Sequence, residues 1–176
     1  MKLVRQQHPE ARLVVIGDGF FRASLERLNG ELGVGATFLG ELPQPTIRVW
    51  LERARVFCGP SVTDHDGMSE AFGNVFSESQ SMGVPVVSFR HGGIPETMRD
   101  GVTGLLAAEG DVPQLAAHLT RYLEDGAFWE SSREEGMRWV RAQFDIRTQT
   151  AKLETLYDAV IENFRPANRF QHAPVE

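Results

Sequence analysis

Strand-like and helix-like segments alternate strictly along the first hundred residues of this 176-residue chain. Short apolar runs such as 12–16 and 84–89 are rich in β-branched residues, which is typical of strands buried on both faces of a parallel sheet. Most of these runs are followed by apolar residues at helical spacing. Strands and helices in this order form a parallel sheet through right-handed crossovers. The sequence therefore predicts an α/β fold with helices on both faces of the sheet.

Prolines and glycines set the predicted boundaries of the elements. The predicted strands cover residues 12–16, 37–40, 55–60, 84–89 and 104–107. The predicted helices cover residues 1–8, 20–32, 45–54, about 74–82, 111–124, 127–142 and 145–164, and a short helical turn is predicted at 94–99. Residues 165–176 contain two prolines and no periodicity, so they are predicted to form a loose tail behind a single domain of residues 1–164.

Composition excludes several classes of function. A formal net charge of −6 argues against a general nucleic-acid binder and against a polybasic membrane anchor. Cys58 is the one cysteine, so the chain forms no internal disulfide and a reducing compartment is expected. No segment approaches the roughly 20 apolar residues of a membrane span, and the first apolar run is too short for a signal peptide. A cytoplasmic protein is therefore expected.

Three stretches lie at the carboxyl ends of predicted strands, where ligands bind to parallel sheets: 17–19, 61–73 and 90–96. In the first, Gly17 and Gly19 are able to place backbone amides against a phosphate. They would equally serve a tight turn between a strand and a helix. The complete Gly-x-Gly-x-x-Gly fingerprint is absent, because position 22 is Arg.

Two carboxylates, Glu70 and Glu78, lie eight residues apart across a predicted junction of a loop and a helix, with Gly73 and Asn74 at the turn. Unpaired amides and the helix dipole favour an anion at such a start. Carboxylates on both sides of an anion site suggest hydroxyl groups flanking a phosphate, as in a nucleotide sugar. Glu78 is predicted to lie on a largely covered helix, where a ribose hydroxyl pair would compensate its charge.

Other interpretations of the two carboxylates are a solvated helix face and the acid pair of a glycoside hydrolase. At the end of the fourth strand, Gly92 and Gly93 allow a close backbone approach to a ligand, donor or acceptor, beside His91 and Glu96. The same residues would serve as a strand exit and a helix start with a favourable carboxylate. No metal site is expected, since no His-x-x-x-His or Cys-x-x-Cys spacing is present.

A set of motifs identifies a family. The run Glu-Ala-Phe-Gly-Asn-Val-Phe-Ser-Glu at 70–78 is followed by Ser-Met-Gly-Val-Pro-Val-Val at 81–87 and by His-Gly-Gly-Ile-Pro-Glu at 91–96. Val-Ile-Gly-Asp-Gly lies upstream at 15–19, and Asp-Gly-Val-Thr-Gly-Leu-Leu lies downstream at 100–106. Together these motifs resemble the retaining GT-B glycosyltransferases of family four, over about residues 8–160.

The resemblance implies a Rossmann-like, three-layer domain that binds a UDP- or GDP-sugar and transfers a hexosyl group with retention, without a cofactor or a required metal. Glu70 would contact the sugar hydroxyls as the catalytic residue, and Glu78 would hold the ribose. The implied donor-binding set is completed by Phe72, Gly73, Asn74, Val75, Gly17 and Gly19. The acceptor would be a glycan or lipid in polysaccharide or glycolipid synthesis.

Two parts of the family pattern are absent from the sequence. One is the amino-terminal, acceptor-binding domain, through which peripheral contact with the inner face of a membrane would occur. The other is the first strand of the carboxyl-terminal domain, with the arginine and lysine that neutralise the leaving diphosphate. This donor-binding half, with extra carboxyl-terminal helices, is therefore expected to be inactive alone. Strands 12–16 and 55–60 would normally flank the absent strand, so they either pair or leave a gap.

Two other classes of function are compatible with parts of the pattern. One is a non-catalytic nucleotide-binding or interaction module. The other is a dinucleotide-dependent oxidoreductase, which the broken glycine fingerprint disfavours. Glu41 is the only acidic candidate at the end of the second strand, and its context does not fit a ribose ligand of such an enzyme.

Overall fold

Helices and strands alternate in the predicted order in the computed structural model, which describes residues 1–63, 66–67, 69 and 71–164. The strands are β1 (Val14–Val15), β2 (Thr37–Phe38), β3 (Phe57–Gly59), β4 (Val86–Phe89) and β5 (Gly104–Ala107). The helices are α1 (Lys2–Gln7), α2 (Arg22–Leu32), α3 (Gln44–Arg53), α4 (Asn74–Ser81), α5 (Val112–Glu124), α6 (Gly126–Phe144) and α7 (Ile146–Asn163). The short helical turn predicted at 94–99 is a 3-10 turn, Ile94–Glu96.

The strands form two separate parallel sheets. One sheet pairs β1 with β2, and Val15 lies opposite Phe38. The other has the order β3-β4-β5, in which Val87 lies between Cys58 and Leu105. Among the described residues no pairing joins β1 to β3. The sequence left open whether these two strands pair or leave a gap between them. The structure therefore has the gap.

Two apolar clusters cover opposite faces of the three-stranded sheet. Val87 and Leu105 face the cluster formed with α1 and α5, whereas their neighbours Val86 and Leu106 face the cluster that contains Phe76 of α4. Successive side chains of a strand point to opposite faces, so this alternation requires cover on both sides. The predicted Rossmann-like α/β architecture, with helices on both faces, is confirmed.

The start and buried face of α5 follow directly from its sequence. Asp111 precedes the helix and its side chain accepts a hydrogen bond from the backbone N–H of Gln114 (2.9 Å), while Pro113 occupies the first turn. Leu115 and Leu119, four residues apart, then lie on one face and are buried. This face anchors α5 against β4 and β5.

The strand predicted at 12–16 is not buried on both faces. The strand itself covers only Val14–Val15, and both residues are half-buried. The helix predicted at 20–32 is amphipathic, yet α2 buries no residue. The apolar residues of the predicted helix stay 69%, 46%, 45% and 38% exposed at Phe21, Leu25, Leu28 and Leu32. The physical reason is that β1 has a strand partner on one edge alone within the described ranges.

The chain divides into two compact units, Met1–Arg141 and Ala142–Glu176. In the second unit, Asp145 caps α7 by accepting the backbone N–H of Thr148 (3.0 Å). The tail predicted at 165–176 lies outside the described residues, and the single domain 1–164 stays a prediction. No helix within the described part of the chain is both long enough and apolar enough to cross a membrane.

Candidate functional site

The loops after β3, β4 and β5 lie at one edge of the three-stranded sheet, because the strands are parallel. We call the described residues of these loops, 60–63, 66–67, 69, 71–73, 90–93 and 108–111, the carboxyl edge. Most of the predicted site residues belong to it or to the elements that follow directly. Glu70, the predicted catalytic residue, lies outside the described residues, so its role stays a prediction.

Helix α4 begins at the carboxyl edge without a side-chain cap. Gly73 precedes the helix with φ +74°, in the left-handed region that favours glycine, and contributes no side chain to the first turn. Phe76 N–H donates to Gly73 O (3.0 Å), which closes the first turn. The backbone amides of Asn74 and Val75 therefore occupy the positive end of the helix dipole, in the place that the sequence predicted for an anion.

Aromatic packing holds α4 on the sheet. Phe76 is almost fully buried, and its ring meets the ring of Phe57 edge to face, with the centroids 5.6 Å apart. Gly59 makes this possible, since a Cβ there would lie 2.6 Å from the Phe76 ring. On the same helix, Gln80 Nε2 donates to Thr97 O (2.8 Å), which ties α4 to the residue after the 3-10 turn. These contacts fix the position of α4 on the sheet.

Glu78 is exposed, so the prediction that it lies on a largely covered helix face is wrong. The buried residues of α4 are Phe76, Ser79 and Gln80. Glu78 is two residues beyond Phe76, about 200° around the helix, and therefore lies on the opposite face. Its carboxylate consequently carries no burial cost that a partner must offset. It is accessible to a ligand from solvent.

The turn after β4 packs directly against the backbone that precedes α4. A Cβ on Gly93 would lie only 2.0 Å from Ala71 O and 3.0 Å from the Ala71 carbonyl carbon. The φ of Gly93 is −84°, an ordinary value, so glycine is needed here for space and not for backbone conformation. This contact brings the predicted stretches 91–93 and 72–75 together. Glu96 follows in the 3-10 turn and is exposed.

His91 is buried and contacts a carboxylate that the sequence did not single out. The His91 ring nitrogen Nδ1 lies 3.1 Å from Glu109 Oε2, and Thr63 N–H donates to Glu109 Oε1 (2.7 Å). The Thr63 bond first, and the His91 bond second, lower the pKa of Glu109 below its ordinary 4.5. The sequence shows only that Glu109 follows the fifth predicted strand. Its partners Thr63 and His91 lie 46 and 18 residues away along the chain, so no local pattern indicates these contacts.

Acid is expected to weaken the folded state through Glu109. Because the pKa of Glu109 is lower in the folded chain, its contribution is complete above the unfolded pKa and is lost as pH falls through the folded pKa. Urea unfolding from neutral pH to about pH 3 should therefore show a smaller acid-induced loss for Glu109→Gln than for the wild type. Equal losses in the two proteins would contradict this contribution.

Gly17 and Gly19 lie at the end of β1, in the two-stranded sheet. Gly17 N–H donates to Gly40 O (2.8 Å) and Gly19 N–H donates to Asp18 Oδ1 (2.8 Å), so both amides are used within the chain. Arg22 forms an ion pair with Asp18 (3.0 Å) across the same turn. These bonds favour the interpretation as a strand-to-helix turn, while a donor contact of the two glycines stays a prediction.

The comparison with protein families identifies the family of the chain. The family model of the glycosyl transferases group 1 matches residues 1–125. This chain belongs to that family. Amylovoran biosynthesis glycosyltransferase AmsK of Erwinia amylovora is 37% identical over 122 residues, which are 68% of this chain and 30% of that protein.

A second member of the family extends the match along the chain. The GDP-mannose-dependent alpha-(1-6)-phosphatidylinositol monomannoside mannosyltransferase of Mycolicibacterium smegmatis is 31% identical over 156 residues, 87% of this chain and 41% of that protein. The chain thus spans 30% to 41% of the length of these two relatives.

Solved structures have the same fold. Sucrose-phosphate synthase from Thermosynechococcus elongatus matches with a TM-score of 0.74 and 26% identity, over 92% of this chain and 42% of that one. Anabaena HepE in complex with UDP-glucose matches with a TM-score of 0.76 and 22% identity, over 90% of this chain and 44% of that one. The glycosyltransferase GT-B fold of these neighbours agrees with the Rossmann-like architecture described above.

Proposed function

We propose that this chain is the donor-binding part of a retaining GT-B glycosyltransferase, which transfers a hexosyl group from a nucleoside diphosphate sugar to a glycan or lipid. One observation carries the proposal: α4 begins directly after Gly73 without a side-chain cap, at the carboxyl edge, with the exposed carboxylate of Glu78 on the same short helix. An anion-binding helix start and a hydroxyl-binding carboxylate are the two things that a nucleoside diphosphate requires.

In this arrangement the diphosphate lies at the amides of Asn74 and Val75, beside Phe72 and Gly73. Helix-start amides and the dipole favour its negative charge. Glu78 then accepts hydrogen bonds from the ribose hydroxyls, a charge-assisted interaction. We assign to Glu70 the contact with the hydroxyls of the transferred sugar. No metal is needed to hold the donor.

The turn after β4 borders the proposed donor site. Gly93 contacts Ala71 closely, so the residues from His91 to Glu96 lie beside the start of α4. We assign to this turn the contact with the sugar of the donor or with the acceptor. Gly92, which has φ +50° and is exposed, allows the backbone to approach a sugar without a side chain in the way.

The relatives favour a UDP- or GDP-sugar as the donor. The mycobacterial relative is GDP-mannose-dependent, and the HepE structure contains UDP-glucose. We propose that the base is uracil or guanine and that the reaction serves polysaccharide or glycolipid synthesis in the cytoplasm, at the inner face of the membrane. In the family pattern, the acceptor-binding domain holds the acceptor, and the first strand of the donor-binding domain has the cations that neutralise the leaving diphosphate. We propose that turnover requires both of these parts.

Calorimetric titration of the chain with UDP, UDP-glucose, GDP and GDP-mannose tests the donor site. We expect saturable binding of one nucleotide and its sugar derivative, with NAD as a non-binding control. Incubation with an acceptor glycan or lipid should give no transfer by this chain alone. The proposal of a donor site fails if all four nucleotides bind no better than NAD, and the proposed inactivity fails if sugar is transferred.

A further inference from the structure

One carboxylate joins the three loops of the carboxyl edge. Glu109 follows β5, and its two oxygens reach Thr63 in the loop after β3 and His91 in the turn after β4. We propose that Glu109 is a positioning residue, which fixes the ring of His91 and the loop after β3 so that the start of α4 keeps its donor-binding shape. The inference rests on the proposed function for its ligand, and on the geometry alone for its contacts.

The two bonds of Glu109 differ in kind. Thr63 N–H lies 2.7 Å from Oε1, while His91 Nδ1 lies 3.1 Å from Oε2. An ionised carboxylate only accepts hydrogen bonds. The ring of His91 must therefore carry a proton on Nδ1 to form its bond. In the neutral ring this leaves the lone pair on Nε2, so Glu109 selects one of the two tautomers of a buried histidine.

The position of His91 bears on the start of α4 through the backbone. Ile94 N–H donates to His91 O (3.1 Å), which closes the turn that contains Gly93. Gly93 in turn has no free space against Ala71 O. A shift of the His91 turn is therefore transmitted to Ala71, two residues before Gly73. Loss of Glu109 should misplace the amides at the helix start and weaken donor binding, without any contact between Glu109 and the donor.

Two substitutions separate the parts of this role. In Glu109→Ala both bonds are lost. In Glu109→Gln the amide oxygen still accepts from Thr63 N–H, so the amide nitrogen faces His91 and donates to Nδ1, which then must be unprotonated. The glutamine variant thus moves the ring proton to Nε2. Glu124→Gln is a matched control, because Glu124 also contacts a histidine, His8 (3.0 Å), but lies outside the carboxyl edge.

Long-range proton–nitrogen NMR spectra of the histidine rings report the tautomer directly. At about pH 8.5, where an ordinary histidine is neutral, we expect the Nδ1-protonated form of His91 in the wild type and in Glu124→Gln, and the Nε2-protonated form in Glu109→Gln. A ring held only by packing would keep its tautomer. An Nε2-protonated ring in the wild type, or an unchanged tautomer in Glu109→Gln, overturns the positioning role.

Nucleotide titration of the same proteins tests the consequence for the site. We expect Glu109→Ala to bind the nucleotide identified above about 10-fold more weakly, which corresponds to about 1.4 kcal/mol, and Glu124→Gln to bind it normally. Normal binding by Glu109→Ala overturns the inference that the donor site depends on Glu109. If the wild type binds none of the nucleotides, the proposed function fails, and so does the inferred effect of Glu109 on donor binding. The tautomer of His91 then still tests whether Glu109 positions the ring.

Discussion

Replacing Glu78 by alanine is expected to weaken nucleotide binding about 10- to 100-fold, because a hydrogen bond to a charged group contributes about 1.5–3 kcal/mol. The free energy of unfolding should change by less than about 0.5 kcal/mol, since Glu78 is exposed on α4 and alanine favours the helix. Calorimetric titration and urea unfolding of the same samples measure the two quantities. A selective loss of affinity would identify Glu78 as a ligand-binding residue.

Glu52→Ala is the matched control for this substitution. Glu52 is an exposed glutamate on α3, so its removal changes the net charge of the chain by the same amount. We expect it to leave the affinity within about 2-fold of the wild type, because a distant exposed charge is screened by salt. Equal losses in the two variants would assign the effect to net charge. Unchanged affinity in Glu78→Ala would exclude Glu78 from the donor site.

Replacing Gly93 by alanine is expected to lower the free energy of unfolding by about 3 kcal/mol. The new Cβ would lie 2.0 Å from Ala71 O, and a backbone oxygen cannot rotate away as a side chain can. The turn after β4 and the segment before α4 must therefore separate, so nucleotide affinity should fall as well. Urea unfolding monitored by circular dichroism gives the first quantity, and titration in the absence of urea gives the second.

Gly30→Ala is the matched control, for which the free energy of unfolding is expected to stay the same or to rise. Gly30 lies within α2, and a Cβ there would meet nothing within 4 Å. Alanine is favoured over glycine in a helix by about 1 kcal/mol, so this variant should be as stable as the wild type or more stable. If Gly93→Ala unfolds at the same urea concentration as the wild type, the close packing of the turn against Ala71 is not a feature of the folded chain.

The sequence predicted the elements of this fold well where local patterns and burial agree. The run 84–89 contains only apolar and small residues, and the structure places β4 in the centre of the three-stranded sheet, buried on both faces. Asp111 and Pro113 marked the start of α5 to within one residue. Agreement fails at β1, where a strand-like run is half-buried, because burial depends on neighbours that the local pattern does not specify.

The same distinction holds at the candidate site. The glycines and carboxylates of 70–78 and 91–96 were candidates because they follow predicted strands. Of the described ones, Gly73, Gly92 and Gly93 lie in the carboxyl edge, and Glu78 and Glu96 lie in the helical elements that directly follow it. The sequence did not predict a role for Glu109, because no local pattern relates it to Thr63 or His91. The predicted cover of Glu78 was wrong, because the helix rotates this side chain away from Phe76 and the sheet.

The sequence by itself determined the order of strands and helices, the edge of the sheet at which a ligand would bind, and the motifs that place the chain in its family. These follow from local spacing, glycine positions and strand polarity, which neighbours along the chain specify. Only the tertiary structure decided that the strands form two sheets, that Gly93 is pressed against Ala71, that Glu109 joins three loops and that Glu78 is exposed. Each of these is a contact, or the absence of one, between described segments far apart in sequence, and such contacts depend on packing in three dimensions.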